Sequence, residues 1–119
     1  MDKVIIIAEA GVNHNGSIEY AYRLIDAAKD AGADYVKFQS FKTEKLVSKY
    51  ALKADYQKET TGKDESQFDM IKKLELSEQD HLDLIKYCNE KDIGFMSSPF
   101  DKDGIGYLDS LGVDFFKIP

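Results

Sequence analysis

Four places along the chain put ionisable or hydrogen-bonding side chains at the end of an apolar run. Glu9 follows Val4-Ile5-Ile6-Ile7-Ala8, and Asn13-His14-Asn15 come next. Lys37 and Gln39 end the run Asp34–Gln39; two residues apart, they share a face if that run is a strand. Ser97 and Ser98 end Gly94–Ser98, and Lys117 stands between Phe116 and Ile118. Two ammonium groups, a carboxylate, an amide and two hydroxyls brought together would bind an anion and move a proton. Fixed positive charge holds carboxylate or phosphate oxygens, and a carboxylate serves as general acid or base.

Each residue also has a simpler use. Lys37 alone could snorkel from a strand end to solvent. Lys117, between two apolar neighbours, would be costly unless paired with an anion. Glu9, at the depth of a buried strand, should be paired, and an ion pair with a lysine would explain it. His14 could serve only to organise its loop, and Ser97 and Ser98 could merely end their strand. Recurrence at four strand ends is what favours a site.

The elements that must position these residues alternate. Val4–Ala8 is continuous, β-branched and too short for a helix, as a strand buried on both faces reads. Ser17 is an N-cap, with Glu19 in the first turn. Ile18, Ala21, Leu24, Ile25 and Ala28 recur at helical spacing, and Gly32 is a C′ stop. Asp34–Gln39 is the second strand. A polar excursion follows from Ser40 to about Leu76, with Tyr50, Tyr56 and Thr60-Thr61-Gly62 along it and a short helix expected over Glu65–Leu74. Ser77 and Asp80 resemble a capping box for a helix running through Leu84, Ile85 and Cys88 to about Lys91. Gly94–Ser98 is the third strand, stopped by Pro99. Asp101 caps a helix faced by Ile105, Leu108 and Leu111, Gly112 closes it, and Val113–Ile118 reads as a fourth strand.

Strands alternating with helices predict parallel βαβ units. An open doubly wound sheet and a (β/α)8 barrel compete. The G-x-G-x-x-G dinucleotide fingerprint is absent after the first strand, where the glycines are Gly11 and Gly16. Four βα units make about half a barrel of roughly 250 residues, so the expected fold class is α/β, the N-terminal half of a (β/α)8 TIM barrel. The strands should be parallel and adjacent in the order one, two, three, four, with the fourth an exposed edge. The polar strand ends then surround a barrel's active site.

A length of 119 residues allows one small domain. The net charge of −6, with acids and bases mixed, argues against nucleic acid or a membrane surface as partner, while leaving room for an anionic substrate in a locally basic pocket. The single cysteine, Cys88, excludes an internal disulfide and reads as a buried helix thiol. The apolar start is too short for a signal peptide or a membrane span, so a cytoplasmic location is expected.

Four motifs carry a resemblance. Ile6–Gly16 is similar to I-x-E-x-G-x-N-H-x-G, the opening motif of the sialic acid synthase family. Gly32–Gln39 resembles that family's G-A-x-x-x-K-x-Q strand, Phe95–Phe100 its S-[ST]-P-F motif, and Phe116-Lys117-Ile118 the start of F-K-I-x-S-G-E. The match is colinear over the whole chain. It implies an enzyme that condenses phosphoenolpyruvate with an open-chain N-acyl amino sugar such as N-acetylmannosamine and releases phosphate by C–O cleavage. By position, Glu9 matches the catalytic glutamate; Lys37, Ser98 and Lys117 match phosphoenolpyruvate-binding residues; Gln39 and Asn13 match the sugar side. Ser98 departs mildly, since close relatives often have Thr, but the hydroxyl is kept.

The resemblance also implies a divalent metal, Mn2+ or Mg2+, with ligands beyond Pro119, so that His14 is not a ligand and residues 1–119 hold no metal ligand. It implies a homodimer, with the rest of the barrel and a C-terminal antifreeze-like domain lying outside residues 1–119. The segment alone is expected to be inert. Ala54-Asp55-Tyr56-Gln57 resembles the branches making bacterial nonulosonic acids, which leaves N-acetylneuraminate, legionaminate and pseudaminate synthesis open. Two rivals stand beside these: a Schiff-base aldolase with Lys37 or Lys117 as nucleophile, and a non-catalytic anion-binding barrel domain.

Overall fold

The computed structural model describes residues 3–47 and 67–119. Three parallel strands lie side by side in chain order: β1 (Ile7–Gly11), β2 (Tyr35–Ser40) and β3 (Gly94–Pro99). Between β1 and β2 runs α1 (Ile18–Asp30). Between β2 and β3 come the short α2 (Thr43–Leu46) and α3 (Gln67–Lys72), then α4 (Glu78–Lys91); α5 (Lys102–Ser110) follows β3.

The helices form where local chemistry satisfies their ends. Ser17 accepts from the Tyr20 N–H at the start of α1. Ser77 and Asp80 close a full capping box at α4, each side chain taking the other's N–H at 2.9 Å, so the shorter Asp serves where Glu is more usual. Asp101 accepts from the Gly104 N–H at the start of α5. The expected short helix is α3; Glu65 lies outside the described residues, as do Tyr50, Ala54–Gln57 and Thr60–Gly62. Phe68 and Ile71 are its less exposed positions, as their spacing predicts, and Leu74, half-buried too, lies past its end.

Helices α1, α4 and α5 cover one face of the sheet. Ile25 and Ala28 of α1, Leu84 and Cys88 of α4, and Leu108 of α5 close on Val36, Phe38 and Phe95. Consecutive parallel neighbours with helices on a single face are the barrel arrangement; a doubly wound sheet reverses its order and is covered on both faces. Burial pushes the Cys88 thiol up to about 12, which makes it an inert core side chain.

Two expectations are corrected. The first strand begins at Ile7 rather than Val4. Ahead of it, the Ile6 N–H donates to the Asp34 carboxylate, and Val4, Ile5 and Ile6 are exposed rather than buried. Among the described residues β1 pairs with β2 alone and so lies at the sheet edge, and burial on both faces is not reached.

The second correction concerns Val113–Ile118, which forms no strand. Its start is anchored: the Tyr35 ring lies over Gly94, its hydroxyl donates to Asp114, and Phe115 packs edge-on against it at 5.3 Å. No ladder to β3 follows. A segment with a neighbour on one side and uncovered faces gains a single row of hydrogen bonds against the full entropy of ordering its backbone.

Candidate functional site

Alternation in β2 sorts its side chains. Val36, Phe38 and Ser40 are buried under the helices, while Lys37 and Gln39 face the opposite side, which no described helix covers. Register then fixes their neighbours. Glu9 stands opposite Lys37, and Ser98 stands opposite Gln39. Glu9, Lys37, Gln39 and Ser98 therefore share one face at adjoining C-terminal strand ends.

Lys37 Nζ lies 3.0 Å from Glu9 Oε1, so the ion pair that the sequence allowed as the simpler reading is made. Glu9 is less deep than expected: its side chain is 51% exposed, because β1 is an edge strand, whereas Lys37 is 16% exposed. Gly11 makes room beside this pair. Its φ of +56° follows a register shift between Glu9 and Gly11, and a Cβ there would sit 2.9 Å from Glu9 Oε2 and 3.6 Å from the Gln39 amide nitrogen. The sheet thus opens a bay flanked by a carboxylate, an ammonium and an amide. The Gln39 amide and the Ser98 hydroxyl make no hydrogen bond to another described residue.

The remaining sequence candidates lie elsewhere. Asn13 is exposed on the turn after β1, where its N–H donates to the Ala10 carbonyl. Lys117 is exposed on the segment that forms no strand, and its neighbours Phe116 and Ile118 are exposed as well. The apolar flanks from which its pairing was argued therefore do not enclose it here. Ser97 belongs to the helix side: fully buried, it bonds Ser40 rather than facing the bay with Ser98. His14 is buried in the loop core, its Nδ1 accepting the Gly16 N–H at 2.9 Å, so it organises its own loop. Among the described residues no group of three or more His, Cys, Asp or Glu could hold a metal, so these residues do not by themselves fit the implied divalent ion.

Two residues escaped the sequence reading. Ser40 and His81 are buried and joined at 2.6 Å beneath the bay. The signal for His81 was its spacing: with Leu84 and Cys88 it falls on the apolar stripe of α4.

Burial holds both histidines below their ordinary value of 6.5; nearby Asp80 opposes this for His14, and the Ser77 carbonyl and Asp80 oppose it for His81. A depressed folded-state value means that the unfolded chain takes up protons first as pH falls. Their contribution is intact above 6.5 and declines below it, ahead of the carboxylates. Melting temperature is expected to begin falling between about pH 6.5 and pH 5.5. A flat profile across that interval in a pH series of thermal melts would contradict it.

Comparison with known proteins shows the family to which the chain is similar. The NeuB family profile matches residues 24–119. The N,N'-diacetyllegionaminic acid synthase of Campylobacter jejuni is 51% identical over the whole chain, which covers 36% of that protein. The enzyme of the same name from Legionella pneumophila is 53% identical over 96% of the chain and 32% of its own length. The crystal structure of an N-acetylneuraminic acid synthetase from Leptospira borgpetersenii, in complex with citrate, superposes with a TM-score of 0.78. It is 32% identical, over 98% of this chain and 36% of that one. The chain thus spans about a third of the length of the relatives it matches.

Proposed function

This chain belongs to the NeuB family, which includes legionaminic, neuraminic and pseudaminic acid synthases, and on that premise we propose that it carries the phosphoenolpyruvate side of a nonulosonic acid synthase site. The reaction joins the methylene carbon of phosphoenolpyruvate to the aldehyde carbon of an open-chain N-acyl amino sugar. Water adds at the former enol carbon, and the tetrahedral intermediate collapses with C–O cleavage to release phosphate.

One observation carries the proposal: the registered pairs Glu9–Lys37 and Gln39–Ser98 stand on one face of the sheet, opposite the helices, at the C-terminal strand ends. Lys37 and Ser98 offer charge and a hydroxyl to the carboxylate and phosphate. Lys117 joins them by resemblance, and the last segment must close toward β3 for it to do so. Glu9 takes and returns the proton during water addition and collapse. Gln39 and Asn13 hold the sugar. A divalent metal, Mn2+ or Mg2+, bound by residues other than those described, belongs to the same reading, and no step here is routed through it. The complete enzyme is taken to be a cytoplasmic homodimer; among the described residues no helix is long and apolar enough to cross a membrane.

Identities of 51% and 53% to the two diacetyllegionaminic acid synthases, against 27% to a pseudaminic acid synthase from Helicobacter pylori, make a diacetylated amino sugar the first acceptor to test. N-acetylmannosamine is the second. A Schiff-base aldolase has less support, because Lys37 Nζ is engaged at 3.0 Å in an ion pair with Glu9 rather than standing free to attack a carbonyl. The complete enzyme, supplied with divalent metal, is expected to release phosphate from phosphoenolpyruvate only when an N-acyl amino sugar is present. Phosphate release without sugar, undiminished turnover in strong chelator, or a borohydride-trapped pyruvate adduct on a lysine would each overturn the reading.

A further inference from the structure

Behind the bay, on the helix side of the sheet, four residues form a directed chain. His81 Nδ1 lies 2.7 Å from the Ser77 carbonyl oxygen, which can only accept, so Nδ1 carries the proton. Nε2 must then accept, and Ser40 Oγ donates to it at 2.6 Å. With its proton so used, Ser40 accepts from Ser97 Oγ, also at 2.6 Å. Ser40, Ser97 and His81 are all at least 95% buried. The chain runs from β3 through β2 to the first turn of α4, whose N-cap is Ser77.

Its placement matters because it lies at the end of the ladder. The β2–β3 ladder ends at the pair Ser40 opposite Pro99, so Ser40 sits at the last registered position of β2. There the buried Ser40–Ser97 side-chain bond adds a second tie beside the backbone pairing. Ser40 follows Gln39, and Ser97 precedes Ser98, so the buried bond joins the residues adjacent to the two that face the bay.

We propose that neutral His81 is a positioning residue which, through Ser40 and Ser97, fixes the ends of β2 and β3 and so sets the spacing between Gln39 and Ser98 across the bay. This rests on the synthase reading of that bay. Facing the imidazole are Asp80 and Glu78 on α4, Lys42 from the segment after β2, Tyr107 of α5 edge-on at 5.3 Å, and Phe95 of β3. Protonation of Nε2 removes the acceptor for Ser40 and breaks the direction of the chain. Burial disfavours that charge, which places the event on the acid side of neutrality.

The test uses the complete enzyme with phosphoenolpyruvate and the accepted sugar. His81→Phe keeps bulk but offers no acceptor. It is expected to raise KM for both substrates by roughly tenfold or more while kcat changes much less, as loss of one buried hydrogen bond requires. His81→Gln, which can accept from Ser40 and does not titrate, is expected to restore both KM values and to show a shallower acid limb of kcat/KM than the parent. Ser97→Ala should resemble His81→Phe more weakly. Unchanged KM values in a folded His81→Phe, or a His81→Gln variant that regains melting temperature but not KM, would overturn the proposal.

Two readouts are independent of turnover. Imidazole 15N shifts must show Nδ1 protonated, and amide exchange at Gln39 and Ser98 must quicken in His81→Phe and recover in His81→Gln. Failure of these arms sinks the positioning role even where synthesis is confirmed. Their success without any synthesis leaves the positioned pair standing and overturns the synthase reading instead.

Discussion

Glu9→Gln in the complete enzyme is expected to lower kcat by about 10²–10⁴-fold while leaving KM for phosphoenolpyruvate within a few-fold. Gln keeps the length and one carbonyl oxygen of Glu, so the bay beside Gly11 remains filled, but it cannot accept a proton. The ion pair with Lys37 is the competing explanation of the carboxylate, and the variant separates the two. Glu9 is 51% exposed, and such pairs contribute little to stability, so a purely structural role predicts near-normal turnover. Steady-state kinetics with saturating sugar, alongside a thermal melt, decide between them. Normal turnover would make the carboxylate an ion-pair partner and remove it from the chemistry.

How the sheet presents this residue was partly legible beforehand. Lys37 and Gln39 could be assigned to one face because period-two alternation needs only sequence, and Val36 and Phe38 went to the other as expected. The caps of α1, α4 and α5 were legible for the same reason, being local chemistry between residues three apart. What depended on neighbours far along the chain was not. Alternation alone could not say which of two adjacent serines faced the bay; register against β2 selects Ser98 and sends Ser97 under the helices.

The depth assigned to Glu9 and the fourth strand failed together, and for one cause. Both assumed sheet neighbours that the described residues do not supply, so β1 stays an edge and Val113–Ile118 stays unpaired. His81 was passed over because a histidine on an apolar stripe looks like core, which it is. Its Nδ1 bond back to Ser77 and its meeting with Ser40 across 41 residues of sequence need the folded chain.

Lys37→Met is expected to raise KM for phosphoenolpyruvate by roughly 10–100-fold, since a charge-assisted hydrogen bond is worth about 1.5–3 kcal/mol. Met matches the apolar stem of Lys and continues to pack where Lys37 is largely covered, so the change removes charge with little change of volume. It also leaves Glu9 without its partner. A lone carboxylate that is half-exposed stays solvated, so the fold should tolerate the loss; its proximity to the substrate's phosphate and carboxylate then repels them, adding to the effect on KM. Lys37→Arg provides the control. It restores the charge but not the compact ammonium, and should recover binding in part. The sugar KM should move far less, because Gln39 and Asn13 keep their places. Calorimetric titration of phosphoenolpyruvate into parent and variant measures the loss directly. If the Met variant binds phosphoenolpyruvate as the parent does, Lys37 serves only to pair Glu9. A parent enzyme that gives a borohydride-trappable pyruvate adduct, together with an inactive Met variant that has lost it, would instead move the chain toward the Schiff-base reading.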